Sequence, residues 1–194
     1  MMMVLLSGCD PGTSTDALPV EETPTNTLMA SQDHTVENRF PERDVVYQWG
    51  VEAEASSEFS NTEWNAEQSI GEPNSPGCGD YQFSWASAAS DSIDTLIVRY
   101  PESVYPLEII IHESFNPDQI VKIEVLNTER GTYYTVLQKN PLRVDRPCPF
   151  ELSVPVFGIN FRTNTVRITV DQSQLGLGWN EIDAVQLIGV RGDD

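Results

Sequence analysis

From about Val45 onward the chain is a series of short apolar or alternating runs, each bounded by Gly, Pro, Asn or Asp. Val121-Lys122-Ile123-Glu124-Val125 alternates with a two-residue period, and Val166-Arg167-Ile168-Thr169-Val170-Asp171 does the same, giving each one buried and one wet face. Leu107-Glu108-Ile109-Ile110-Ile111 is densely β-branched. The pattern predicts strands near Val46–Ala55, Asp94–Tyr100, Tyr105–His112, Ile120–Leu126, Thr132–Leu137, Phe150–Val156, Thr165–Val170 and Ala184–Val190. Only Thr62–Ile70 has the texture of a helical turn or two. Short strands without helices between them predict an all-β protein, an antiparallel β-sandwich or jelly roll, and not a parallel α/β fold. No internal repeat is visible.

The stretch from Asp10 to Asp44 has neither period. It is rich in Thr, Pro, Ser and acid, with eight acidic residues against two basic ones, so it repels itself and stays extended. Before it, Met1-Met2-Met3-Val4-Leu5-Leu6-Ser7-Gly8-Cys9 reads as a bacterial lipobox, in which small residues ahead of a Cys admit the lipidating enzyme and the thiol receives a diacylglycerol. No Lys or Arg precedes Cys9 and the apolar run is short for a signal peptide, which suggests a start codon assigned too late among the three Met. A disordered start with a chance Cys is the alternative; the order lipobox, tether, globule favours the anchor. The expected organisation is a lipoprotein signal remnant over 1–9, a disordered tether over 10–45 that holds His34 in solvent, a β-sandwich module over 46–190 and a tail over 191–194. Such a protein would be membrane-anchored through Cys9 on the extracytoplasmic face of a bacterial cell envelope.

Charge narrows the function classes. With 30 Asp and Glu against 11 Lys and Arg, the 194-residue chain has a net charge of −19. That disfavours nucleic acid, whose phosphates need Lys or Arg, and a surface that clings to anionic lipid by charge. No run approaches the roughly 18 apolar residues of a spanning helix.

Three Cys leave one even pair, Cys78 and Cys148, once Cys9 is assigned to lipid. Both lie beside Pro or Gly in turns, and an oxidising compartment favours a bridge between them over two free thiols. Closing a loop of this size contributes up to ~4 kcal/mol on the chain-entropy model. Two distant Cys without clustered His do not make a zinc site.

From Tyr47 the order of segments becomes recognisable. Tyr47-Gln48-Trp49-Gly50-Val51-Glu52-Ala53-Glu54-Ala55-Ser56-Ser57 leads to Trp64-Asn65-Ala66-Glu67-Gln68-Ser69-Ile70-Gly71-Glu72-Pro73-Asn74, then Cys78-Gly79-Asp80 and Trp85-Ala86-Ser87. His112-Glu113-Ser114-Phe115-Asn116-Pro117 and Gly178-Trp179-Asn180-Glu181-Ile182-Asp183-Ala184-Val185 follow. Together they resemble the galactose-binding-like β-sandwich seen as the scarf domain of pappalysin-type proteins and in bacterial lipoproteins, and more distantly discoidin domains. The resemblance implies an accessory module that binds glycan, lipid or protein through loops at one end of the sandwich. It does not carry over protease activity, which needs a zinc domain with H-E-x-x-H; His112-Glu113 has no second His after it.

The resemblance also implies a structural calcium, held by a loop near the start of the domain and an acid near the last strand. The matching positions are Gly71, Asn74 and Glu181, although Glu72-Pro73-Asn74 stands where the related domains usually offer an Asp. The alternative for Glu181 and Asp183 is solvation at a strand end or a backbone hydrogen bond. Trp49, Trp64, Trp85 and Trp179 fall inside the family-like segments, which favours packing for most of them; Tyr81, Phe83 and Phe115 are the candidates for ligand contact. Arg191-Gly192-Asp193 reads as coincidence, and Gly176-Leu177-Gly178 precedes no helix and cradles no phosphate.

These readings converge on a lipid-anchored, non-catalytic binding module for a glycan or a surface partner. A structural envelope lipoprotein and a hydrolase built around His112 are the rivals. The second lacks a held base and a nucleophile at recognisable spacing.

Overall fold

The computed structural model describes residues 44–192, so Cys9, the lipobox and the tether up to residue 43 lie outside the described residues, as does Asp193, while Val45, expected at the tether's end, is the first residue of a strand. It contains eight strands: β1 Val45–Trp49, β2 Glu52–Ala55, β3 Ile93–Phe115, β4 Ile120–Asn127, β5 Thr132–Gln138, β6 Phe150–Pro155, β7 Thr163–Asp171 and β8 Glu181–Val190. All pairings are antiparallel. One layer is β1-β8-β3-β6 and the other β2-β3-β7-β4-β5, with β3 common to both. The first half of β3 pairs with β7, from Ile93↔Asp171 to Arg99↔Thr165, and the second half pairs with β8, from Tyr105↔Val190 to Phe115↔Glu181. The fold is the antiparallel β-sandwich expected from the alternation.

Three boundaries differ from the sequence expectation. The run Val46–Ala55 is two strands, because the chain crosses from one layer to the other at Gly50. A Cβ there would stand 2.4 Å from Val98 Cγ1, so only glycine lets the backbone pass that close. Conversely, the expected strands Asp94–Tyr100 and Tyr105–His112 are one 23-residue strand. Pro101 and Pro106 bend it without ending it, and the register slips between Arg99 and Val104 as it passes from one layer to the other. The expected helical segment Thr62–Ile70 yields only a 3-10 turn over Ala66–Ser69.

The core is the interior between the layers. Leu96 and Val98 of β3 meet Ile123 and Val125 of β4 and Val166 and Ile168 of β7 from one side, and Ile109, Ile111, Val185 and Leu187 from the other, all 0% exposed. These are the inward positions of the alternating runs. The outward positions of β4 and β7 are not simply wet: Glu124 is buried between Lys122 Nζ and Arg167 Nη2, each at 2.7 Å, and Arg167 lies 3.7 Å above the Tyr133 ring.

Because β3 runs out along one layer and back along the other, its two ends share one end of the sandwich. Ile93, Phe115, Ile120, Phe150, Asp171 and Glu181 all lie there, and the loops 56–92, 116–119, 139–149 and 172–180 open from it. The opposite end carries Val45, Val190 and the β4–β5 turn.

Candidate functional site

The longest loops gather at one end of the sandwich, and a set of buried polar groups ties them down. Asp183, 4% exposed in β8, accepts hydrogen bonds from the backbone N–H groups of Asn74 and Ser75 at 3.2–3.3 Å. Glu181, two residues earlier and 2% exposed, accepts from Tyr81 N at 3.1 Å and from Ser114 Oγ at 3.2 Å. The hydroxyls of Ser75, Ser84 and Ser114 form a chain at 3.1 and 2.8 Å that leads to Glu181. A disulfide joins Cys78 to Cys148 with their Cα atoms 5.9 Å apart. The loop therefore has polar anchors as well as its covalent one, although few apolar anchors are legible in its sequence.

This arrangement bears directly on calcium. The ion takes about six to eight oxygens, many of them backbone carbonyls. Here the loop turns N–H groups, not carbonyls, toward the strand acid. Gly71 N donates to Gly50 O at 2.9 Å, Asn74 N belongs to Asp183, and Glu181 answers to Tyr81 and Ser114. Among the described residues no three His, Cys, Asp or Glu side chains converge as a metal group. Gly71, Asn74 and Glu181 do not fit a calcium cage; Asp183 makes the loop-to-strand tie that an ion would otherwise make.

Beside this network a small pocket of about 120 Å³ is lined by Phe59, Trp64, Asp80, Ala86, Trp179 and Glu181. Phe59, 50% exposed, meets Trp64 edge-on at 5.4 Å and Trp179 edge-on at 5.5 Å between ring centroids. Each ring is held. Phe59 N donates to Ala86 O at 2.8 Å, and Trp64 N to Gln82 O at 3.2 Å. The indole N–H of Trp64 reaches Asp80 Oδ1 at 3.2 Å, and that of Trp179 reaches Ser87 O at 3.0 Å. Ser56 and Ser57 fix the base of the Phe59 loop by donating to Asp94 Oδ1, each at 2.7 Å. Trp64 sits at φ +53°, a left-handed conformation costly for a large side chain and sustained here by its surroundings. Burial pushes the Glu181 carboxyl up to about 7, with the neighbouring Asp80 adding to the rise and the Tyr81 amide opposing it.

A larger cavity of about 610 Å³ lies next to it, lined by the disulfide at Cys78, by Phe115 and Phe150, and by Arg143, Arg146 and Asp118. Asp118 is spent on Arg146 Nε at 2.6 Å and Val144 N at 2.7 Å. Behind Asn116, buried Glu113 accepts from Asn180 Nδ2 at 2.7 Å, and burial pushes its carboxyl up to about 7.

The sequence candidates are thus redistributed. Phe115 lines the larger cavity and Phe83 is 41% exposed outside both cavities. The Tyr81 ring lies across Gly79, whose Cβ would stand 3.2 Å from Tyr81 Cζ, so it packs on its own loop. Of the four Trp, only Trp85, 1% exposed, is core; Trp49 pairs with His112 at 5.5 Å, and Trp64 and Trp179 wall the small pocket. The aromatic pocket was missed because Phe59, Trp64 and Trp179 share no local pattern, and only the long loops bring them together. His112 is half-buried against Trp49 with Glu151 at 3.5 Å, and burial holds its imidazole below its ordinary range. No hydroxyl hydrogen-bonds to it among the described residues. The Arg191 guanidinium is engaged by Glu102 at 2.6 and 2.8 Å and by Asp44.

Residues 39–194 match the family model described as Pappalysin-1, SD scarf domain, C-terminal. The chain belongs to the SD scarf domain family. The scarf domain shares its fold with several solved structures. Chitosan-binding module 1 from a chitosanase/glucanase of Paenibacillus sp. IK-5 is 14% identical, with a TM-score of 0.53 over 70% of this chain and 92% of that one. The family 32 carbohydrate-binding module of C. perfringens NanJ, solved in complex with galactose, is 16% identical, with a TM-score of 0.52 over 74% and 99%. An F5/8 type C domain from Bacteroides fragilis is 10% identical, with a TM-score of 0.54 over 77% and 98%. No curated protein matches the scarf domain's sequence.

Proposed function

We propose that this scarf domain is a non-catalytic glycan-binding module, presented on a lipid-anchored tether at the extracytoplasmic face of a bacterial envelope. The observation that carries the reading is the pocket of Phe59, Trp64 and Trp179, three held aromatic rings beside two carboxyl groups at the loop end of the sandwich. Pyranose rings have apolar C–H faces rimmed by hydroxyls. Aromatic surface with a few fixed polar groups is complementary to them, and rings already fixed in place lose little freedom on binding. The similar structures named for chitosan and galactose support the same class.

A glycan array run with and without calcium tests the reading. Binding is expected on the array, unchanged by chelation and lost in Trp179→Ala. Silence on the array would move the protein to the structural class of envelope lipoprotein, and turnover abolished by His112→Ala would make it an enzyme. For the anchor, the protein produced in a bacterium should partition into detergent, and Cys9→Ser should release it; identical partitioning of the two rejects lipidation.

A further inference from the structure

The two acids of the small pocket lack a counter-charge. Asp80 and Glu181 line the same pocket, and neither forms an ion pair with a Lys, Arg or His among the described residues. Elsewhere at this end the buried Asp118 has Arg146, whereas Glu113 and Asp183 are held by hydrogen bonds alone. What sets Asp80 and Glu181 apart from the other unpaired acids at this end, Glu113 and Asp183 among them, is that these two face an aromatic pocket. It is walled by Phe59, Trp64 and Trp179, whose π-faces attract positive charge, and both indole N–H groups are already spent on protein oxygens. At about 120 Å³ the space takes a small headgroup, not a whole oligosaccharide. A net charge of −19 draws cations and repels sulfated, sialylated or uronic sugars.

We infer that the pocket selects an ammonium group: the ligand is a glycan carrying free amines, a hexosamine polymer or oligomer, with one –NH₃⁺ seated between Asp80 and Glu181 and the rings closed around its carbon frame. This rests on the glycan-binding reading and sharpens it, since galactose-type recognition needs no acid pair.

The test is a tryptophan-fluorescence and calorimetric titration of the intact protein with a glucosamine oligomer, its fully N-acetylated counterpart, galactose, tetramethylammonium and calcium. The free-amine oligomer should bind at least tenfold more tightly than the acetylated one. Asp80→Asn should erase that preference, while Asp80→Glu keeps part of it. Asp80 is exposed, so its replacement leaves the fold intact, which an unchanged near-UV spectrum checks. Equal binding of the acetylated oligomer or of galactose overturns the ammonium inference and leaves the glycan reading standing. Binding of tetramethylammonium with no oligosaccharide binding overturns the glycan reading and the amino-sugar ligand together, and leaves a site for small organic cations. Calcium binding that Asp80→Asn abolishes overturns the inference in favour of a metal.

Discussion

The two ends of the sandwich are closed by different physics. At the end carrying Val45 and Val190, the β4–β5 turn is fastened within itself: Asn127 Oδ1 accepts from Glu129 N and Arg130 N at 3.1 Å, and Gly131 at φ +64° completes the turn. The remaining closure is an exposed ion cluster of Arg191 with Glu102 and Asp44. At the other end the loops are long, and what fixes them is buried and remote in sequence: Tyr81 to Glu181 is 100 residues, Asn74 to Asp183 is 109, and the disulfide spans 70. The first end is fastened by contacts that are short in sequence or exposed to solvent. The second buries carboxyl groups, holds a tryptophan at positive φ beside an aromatic pocket and carries a disulfide in the wall of the larger cavity.

That contrast can be broken from its strongest side first. Reducing Cys78–Cys148 should lower stability by up to ~4 kcal/mol and raise proteolysis within Glu72–Ser84, while the β4–β5 turn stays protected. The check is urea unfolding with and without reductant, with the cleavage sites mapped.

Acidity is the next lever. Glu113 and Glu181 are both raised from 4.5 to about 7, so the native state holds more protons than the unfolded chain between those values. The stability they contribute should therefore be complete below about pH 4.5 and be lost as pH rises to 8, by ~3 kcal/mol for the fully buried Glu113 and by less for Glu181, whose charge is better screened. Glu113→Gln should flatten its share of that slope; a profile that rises with pH would show that these carboxyls are not desolvated.

Asp183→Ala removes both N–H partners of the Asn74–Ser75 segment and should cost ~2 kcal/mol. Amide exchange should quicken in that segment and not at the far end. The smallest effect belongs to the far end. Arg191→Ala dissolves an exposed cluster and should leave the unfolding midpoint almost where it was, less so as salt is lowered.

The same division governs what the sequence discloses. Alternation at Val121–Val125 and Val166–Val170 marks the strands because a sheet with one core-facing side imposes a local period. The Cys78–Cys148 pair was readable from parity and turn context. The continuity of β3 was not, since two prolines read locally as breaks and only pairing with two different neighbours makes them bends. Nor was the direction of the Glu72–Ser75 loop. The departure from an Asp is visible, but whether N–H or C=O groups face inward depends on backbone torsions that side-chain identity does not specify. Trp64 and Trp179 look like Trp85 in sequence; which of them the core swallows is decided by loops more than a dozen residues away.

The antiparallel pairing of β1 with β8 also says how the domain would bear a load. When the loop end is held fast and the chain is pulled from ahead of Val45, tension runs along the strand axis. It shears the five register pairs from Val45↔Val190 to Trp49↔Gln186 together instead of unzipping them one at a time. A strand loaded that way resists as a unit, so a grip at the far end is transmitted through the sandwich before any of it peels.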